Sequence, residues 1–288
     1  MVQMTKRARV LIGGSSMMLG LALAMAAEPV VVTGRAVSSG QEVPWNGRIL
    51  RILETMPQGG GYAADRAAIE GLSKAVMVDP LRITVDPRLA RTNFCSGATY
   101  LVFAKLMENL QGEGRIRLSA DELQRLAVKG QSDGMGVWGR WNANGPGVAR
   151  LFYESGLGRN FESFDAAQPG DFMKIFWTDQ IGAKEFGHMV VYLGRRKDAT
   201  GATIIRFWSS NKPGGYGTKE VPLTKIRWVI FSRLLNLDRL GRLPASDSVD
   251  PVSREMLRRS FSREEVRRHT GMPAPPVRAE PTRPAADR

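Results

Sequence analysis

Cysteine is nearly absent from this 288-residue chain: Cys95 is the only one, and His188 and His269 are its only histidines. A single cysteine excludes an internal disulfide. Two distant histidines and one cysteine also lack the spacing of a zinc site, so no metal is expected. No motif implies a cofactor. Acidic residues are fewer than basic ones, 28 against 41, giving a net charge of +13. Internal repeats and long apolar runs are missing, apart from one apolar stretch at the start.

That stretch follows Lys6, Arg7 and Arg9, runs from Val10 to about Ala24, and closes with Ala24-Met25-Ala26-Ala27 before Glu28-Pro29. It reads as a secretory signal peptide over residues 1–26, cleaved after Ala26. The alternative is an uncleaved anchor, because the run approaches membrane-spanning length. No cysteine follows the run, which excludes a bacterial lipoprotein. Export predicts a periplasmic or extracellular, cell-wall location with no membrane span once the signal is removed. In that oxidising space a lone cysteine is either a buried hydrophobe or a thiol kept for its reactivity. So basic a chain in the cytoplasm suggests nucleic acid. Export and the lack of a nucleic-acid motif point instead to the polyanionic envelope.

Residues 27–43 read as a polar leader with Val30-Val31-Val32 as a short strand. Helical patterns follow near 46–54 and from Tyr62 to Val76, then a short strand over 81–85. A further helix is predicted over 96–109, and Ser119-Ala120-Asp121-Glu122 is a capping box for the next. The glycine- and asparagine-rich stretch 130–147, with Trp138 and Trp141, reads as a surface loop. A short helix over 148–154 ends at Gly156. From residue 168 the period is that of strands, at 172–178, 187–194, 202–209 and 226–233. Helices followed by an antiparallel sheet predict one α+β domain over 44–240. Residues 241–288 read as a basic, proline- and arginine-rich tail, largely disordered, with short basic helices around 253–269. Such a tail suits anionic envelope polymers.

Cys95 stands in Asn93-Phe94-Cys95-Ser96-Gly97, at the start of an apolar helix. His188 opens the strand Gly187-His188-Met189-Val190-Val191-Tyr192-Leu193-Gly194, 93 residues later. Gln168-Pro169-Gly170-Asp171 forms the turn before the preceding strand. A helix N-terminus favours a thiolate, and a histidine on a rigid strand can be its ion-pair partner. These three patterns, in this order, resemble the NlpC/P60 superfamily of cell-wall cysteine peptidases and, more distantly, the CHAP amidases. The resemblance covers roughly residues 90–212, with Phe94 where the family commonly has aspartate.

The resemblance implies a papain-like fold, with the nucleophile on a helix and the base on the sheet. It implies Cys95 and His188 as the catalytic pair, and peptidoglycan or muropeptides as substrates. The third residue lies in the family on the strand after the histidine strand. Here Asn211 is the first choice and Ser209, on the same face two residues earlier, the alternative. The backbone N–H of Cys95 is a candidate oxyanion donor, and Tyr62 a second, because family members place a tyrosine near the thiol. Alternatively Tyr62 is an ordinary aromatic at a helix start. Trp138 and Trp141 either contact substrate or anchor their loop. Asp171 is read as structural, and Trp177 and Trp208 as core. The function expected is an exported cysteine hydrolase acting through a thioester. The alternatives are a catalytically inactive envelope-binding protein on the same scaffold, and an unrelated secreted binding domain in which Cys95 and His188 never meet.

Overall fold

The computed structural model describes residues 45–274. The expected signal peptide, the leader and the end of the basic tail lie outside the described residues. Helix α1 (Trp45–Thr55) buries Trp45, Ile49, Ile52 and Leu53, one stripe at helical spacing. A glycine-rich turn carries the two-residue strand β1 (Gly59–Gly60). Helix α2 (Arg66–Ala75) begins where Asp65 Oδ1 accepts from the Ala68 N–H at 2.9 Å. Tyr62 is therefore outside the helix it was expected to open: Asp65 has the capping oxygen that tyrosine lacks. Tyr62 instead pairs with Asn93 as an isolated parallel bridge. A hairpin of β2 (Val76–Val78) and β3 (Ile83–Val85) follows.

The central helix is α3 (Cys95–Gly112). Twelve of its 18 residues are buried, which makes it a core helix rather than a half-wetted one. Helix α4 (Ala120–Leu126) starts at the Ser119/Glu122 capping box. Next come α5 (Gly136–Asn142) and α6 (Val148–Ser155), the latter closed by Gly156 in the left-handed region. The 130–147 segment is thus not a surface loop. Trp138 and Trp141 are each 1% exposed, packed edge-on against Tyr100, with ring centroids 5.2 and 5.4 Å away. The glycines that suggested a loop include close approaches: a Cβ on Gly139 would sit 2.2 Å from the Ser132 carbonyl oxygen.

Seven antiparallel strands form the main sheet, in the order β1-β8-β7-β6-β5-β9-β4. They are β4 (Gly158–Phe161), β5 (Phe172–Phe176), β6 (Gly187–Lys197), β7 (Thr203–Asn211), β8 (Gly215–Pro222) and β9 (Trp228–Leu234), with β1 at one edge. Alternation divides the sheet's two faces. Phe172, Met189, Val191 and Trp208 join the α3 core, whereas Met173, Ile175, Val190, Tyr192 and Phe207 form a second cluster. Strand β8 was not expected, since its sequence is mostly polar and glycine. Its eight-residue ladder with β7, from Asn211↔Gly215 to Ile204↔Pro222, forms it.

The fold does not end at residue 240. Helices α7 (Pro251–Met256) and α8 (Arg263–Thr270) bury Met256, Phe261, Val266 and Met272 against Phe176, Ile181 and Ile230. Arg150 pairs with the buried Asp250 at 3.2 Å, and Asn160 Nδ2 donates to the Thr270 carbonyl at 2.9 Å. The short basic helices expected around 253–269 are present, but as part of the body and not of a free tail: their few apolar residues meet a prepared apolar surface. Burying each large one contributes about 1.5–3 kcal/mol.

Candidate active site

The approach to Cys95 is set by Asn93, which is fully buried. Its Oδ1 accepts from the Phe94 N–H at 2.8 Å, and its Nδ2 donates to the Tyr216 hydroxyl at 2.8 Å. Tyr216 in turn donates to the Ala90 carbonyl at 2.6 Å. A Cβ on Gly97 would fall 2.2 Å from Asn93 Oδ1, so the Cys-Ser-Gly pattern needs glycine for this crossing. Phe94, at the N-cap of α3, makes no side-chain capping bond. With no carboxylate there, the positive end of α3 is turned toward the thiol, one residue on.

Strand β6 begins, and β7 ends, at the same end of the sheet. Carrying the Val191↔Trp208 register along to that end sets Asn211 opposite His188. The side chains meet: His188 Nε2 lies 3.2 Å from Asn211 Oδ1. The Asn211 amide is oriented because its Nδ2 donates to the Ser209 carbonyl at 3.1 Å and the Gly217 carbonyl at 2.8 Å. Its oxygen is thereby the atom offered to the imidazole, which makes Nε2 the protonated nitrogen and leaves Nδ1 for the thiol. Ser209 is fully buried and its hydroxyl donates to the Met189 carbonyl at 2.8 Å, so it does not serve His188. Phe207 packs edge-on to the imidazole at 5.7 Å and Trp177 lies 6.4 Å away, so that ring is held on its flanks.

Cys95 is a free, half-buried thiol whose ionised form His188 favours. Burial pushes the thiol up. The His188 hydrogen bond and charge, the Met189 N–H and the Lys174 ammonium more than offset this, lowering it to about 6. The Tyr62 hydroxyl lies 3.9 Å from the sulfur. Burial first, and then the charge of Cys95, raise the phenol well above its ordinary range, so it remains a donor. Tyr62 thus presents a protonated hydroxyl to the sulfur.

The thiol opens into a cleft of about 340 Å³. Trp141 backs its wall, and donates to Thr99 Oγ1 at 3.2 Å; Trp138 is core and does not line it. Several cleft residues escaped the sequence reading. Ser96 Oγ donates to Asn142 Oδ1 at 2.5 Å, and Asn142 Nδ2 donates to Asp133 Oδ1 at 2.9 Å. Burial raises the Asp133 carboxyl above its usual range. Lys174 and Glu185 form a pair at 2.6 Å, and Lys212 lies over the Tyr62 ring at 5.0 Å. One signal was in view: Lys174 is the single charge in the otherwise apolar strand Phe-Met-Lys-Ile-Phe.

Asp171 takes no part in the cleft. It is fully buried and pairs with Arg233 at 2.7 Å while accepting from the Gln168 N–H at 2.8 Å, which ties the Pro-Gly-Asp turn to β9. Trp208 is core, and Trp177 is only partly buried beside His188. Among the described residues no helix is long and apolar enough to cross a membrane. Comparison with protein-family models, with curated proteins and with solved structures found no match to this chain.

Proposed function

We propose that this chain is an exported cysteine hydrolase of papain-like, NlpC/P60-type architecture that cleaves amide bonds in peptidoglycan peptides. The observation that carries the reading is the imidazole of His188, held by Asn211 Oδ1 at 3.2 Å and favouring the thiolate of Cys95. Cys95 lines the cleft, and a nucleophile, a base and a group that orients the base are the parts acyl transfer needs. The choice of peptidoglycan rests on the motif resemblance and the secretory N-terminus.

In this reading the Cys95 thiolate attacks the carbonyl carbon of the amide. The oxyanion takes hydrogen bonds from the Cys95 N–H and the Tyr62 hydroxyl. Each aligned donor contributes about 3 kcal/mol to the transition state. The His188 imidazolium gives its proton to the departing amine as the C–N bond breaks, leaving a thioester on Cys95. Water then attacks the thioester while His188 takes a proton from it, the C–S bond breaks, and the acid leaves.

The test is digestion of purified sacculi by the mature protein and by Cys95→Ala, read by mass spectrometry of soluble fragments. New fragments from the wild type alone are expected, and their masses name the bond. Release by neither protein across several wall chemistries, with retention of both on the sacculi, would replace this reading with that of an envelope-binding protein.

A further inference from the structure

Lys174 is an unusual residue to find in the floor of such a cleft. It lies at the centre of β5, opposite Met189 of β6 and Ile230 of β9, in a strand whose other residues are Phe172, Met173, Ile175 and Phe176. Its side chain is 12% exposed, and it lines the same cavity as Cys95. Its carboxylate partner, Glu185, is 2% exposed and 2.6 Å away. Glu185 is itself anchored: Oε2 accepts from the Gly145 N–H at 2.5 Å and the Gly182 N–H at 3.0 Å, leaving Oε1 for the lysine. An ammonium has three N–H donors; here Glu185 is its ion-pair partner and the Phe176 ring lies 5.5 Å from Nζ.

A buried ion pair is weak support for stability, because desolvation of both charges consumes most of the attraction. A well-packed apolar pair would serve the strand at least as well. What the pair supplies is a fixed cation with donors to spare, facing the space beside the nucleophile. The other cleft cation, Lys212, is exposed at the rim.

We propose that Lys174, held in place by Glu185, is a specificity-determining residue that binds a carboxylate of the substrate next to the scissile amide. The inference rests on the hydrolase reading for its substrate but not for its test. A carboxylate completes the ammonium's hydrogen bonding, whereas the corresponding carboxamide offers an uncharged oxygen and brings an NH₂ group toward a cation. Charge-assisted hydrogen bonds of this kind separate acid from amide by about 10- to 100-fold in affinity.

The test uses synthetic stem tetrapeptides, one with every carboxylate free and the others each amidated at a single carboxylate. Binding is measured by calorimetry to the full chain carrying Cys95→Ala, which cannot turn the peptides over. One amidation is expected to weaken binding about 10- to 100-fold, and the position of that amide shows whether the carboxylate lies on the acyl or the amine side. In the same background, Lys174→Gln with Glu185→Gln removes both charges while leaving polar, hydrogen-bonding side chains at both positions, and is expected to abolish the difference. Lys212→Met is expected to preserve it. A difference that survives the double substitution, one that disappears with Lys212→Met, no amidation effect, or no binding at all would each overturn the inference. If sacculi remain intact with wild-type protein while the Lys174-dependent preference is present, the hydrolase reading fails and the carboxylate site stands. Cleavage without the preference removes the carboxylate site and leaves the hydrolase standing.

Discussion

His188 Nε2 and Asn211 Oδ1 lie 3.2 Å apart, and the Asn211 amide cannot turn over without losing its bonds to the Ser209 and Gly217 carbonyls. The orientation of the His188 imidazole is therefore locked by the backbone of β7 and β8. Asn211→Ala is expected to lower kcat about 10- to 100-fold with KM nearly unchanged, because the tautomer and ring angle are lost while the cleft is kept. Ser209→Ala, which removes only the bond to the Met189 carbonyl, should retain kcat and cost about 1 kcal/mol of stability. Steady-state kinetics and urea denaturation of the two variants check this.

The thiol lowered to about 6 predicts the pH dependence of its alkylation. Only the thiolate reacts, so the iodoacetamide rate should rise with a midpoint near pH 6 and level off above it. Removing the principal stabilising partner through His188→Ala should move the midpoint up, toward or beyond the ordinary thiol value of about 8.5. A wild-type midpoint above 8 would show that His188 does not hold the thiolate.

Asp171 and Arg233 form a buried pair, 0% and 3% exposed, which joins the turn before β5 to β9. Asp171→Ala strands the guanidinium and is expected to cost about 3–5 kcal/mol in thermal or denaturant unfolding. The rate of Cys95 alkylation in the folded fraction should stay close to wild type, because the pair touches neither Cys95 nor His188.

Truncation at two points tests the extent of the folded C-terminal segment. Stopping at 274 keeps Asp250, Met256, Phe261 and Val266 with their partners and should leave the melting temperature unchanged. Stopping at 244 removes them, exposes Phe176 and Ile181, and breaks the bonds from the Ile181 carbonyl and the Ala183 N–H to Phe261 and Arg259. Because Glu185 and Phe186 of the cleft lie on that same stretch, solubility and activity should fall together.

Much of the candidate site could be read from the chain because short patterns have local causes. Cys95-Ser96-Gly97 marks a helix start that crosses another side chain closely, and Pro169-Gly170-Asp171 marks a turn in which Gly170 adopts φ +95° against Asn46. Asn211 was reachable by strand register. Tyr62 was reachable through the family resemblance alone, since its pairing with Asn93 joins residues far apart in the chain.

The sequence by itself determined the α+β order of elements, the helix carrying Cys95, the strand carrying His188 and the short list for a third residue. Each follows from hydrophobic period, caps and turn residues, which act over a few positions. Only the tertiary structure set Asn211, and not Ser209, against His188, wound 136–142 into a helix that buries Trp138 and Trp141, formed β8 on β7, seated residues 251–272 on the body, and closed Lys174 onto Glu185. All of these depend on partners distant in sequence, whose packing and desolvation override what local composition favours.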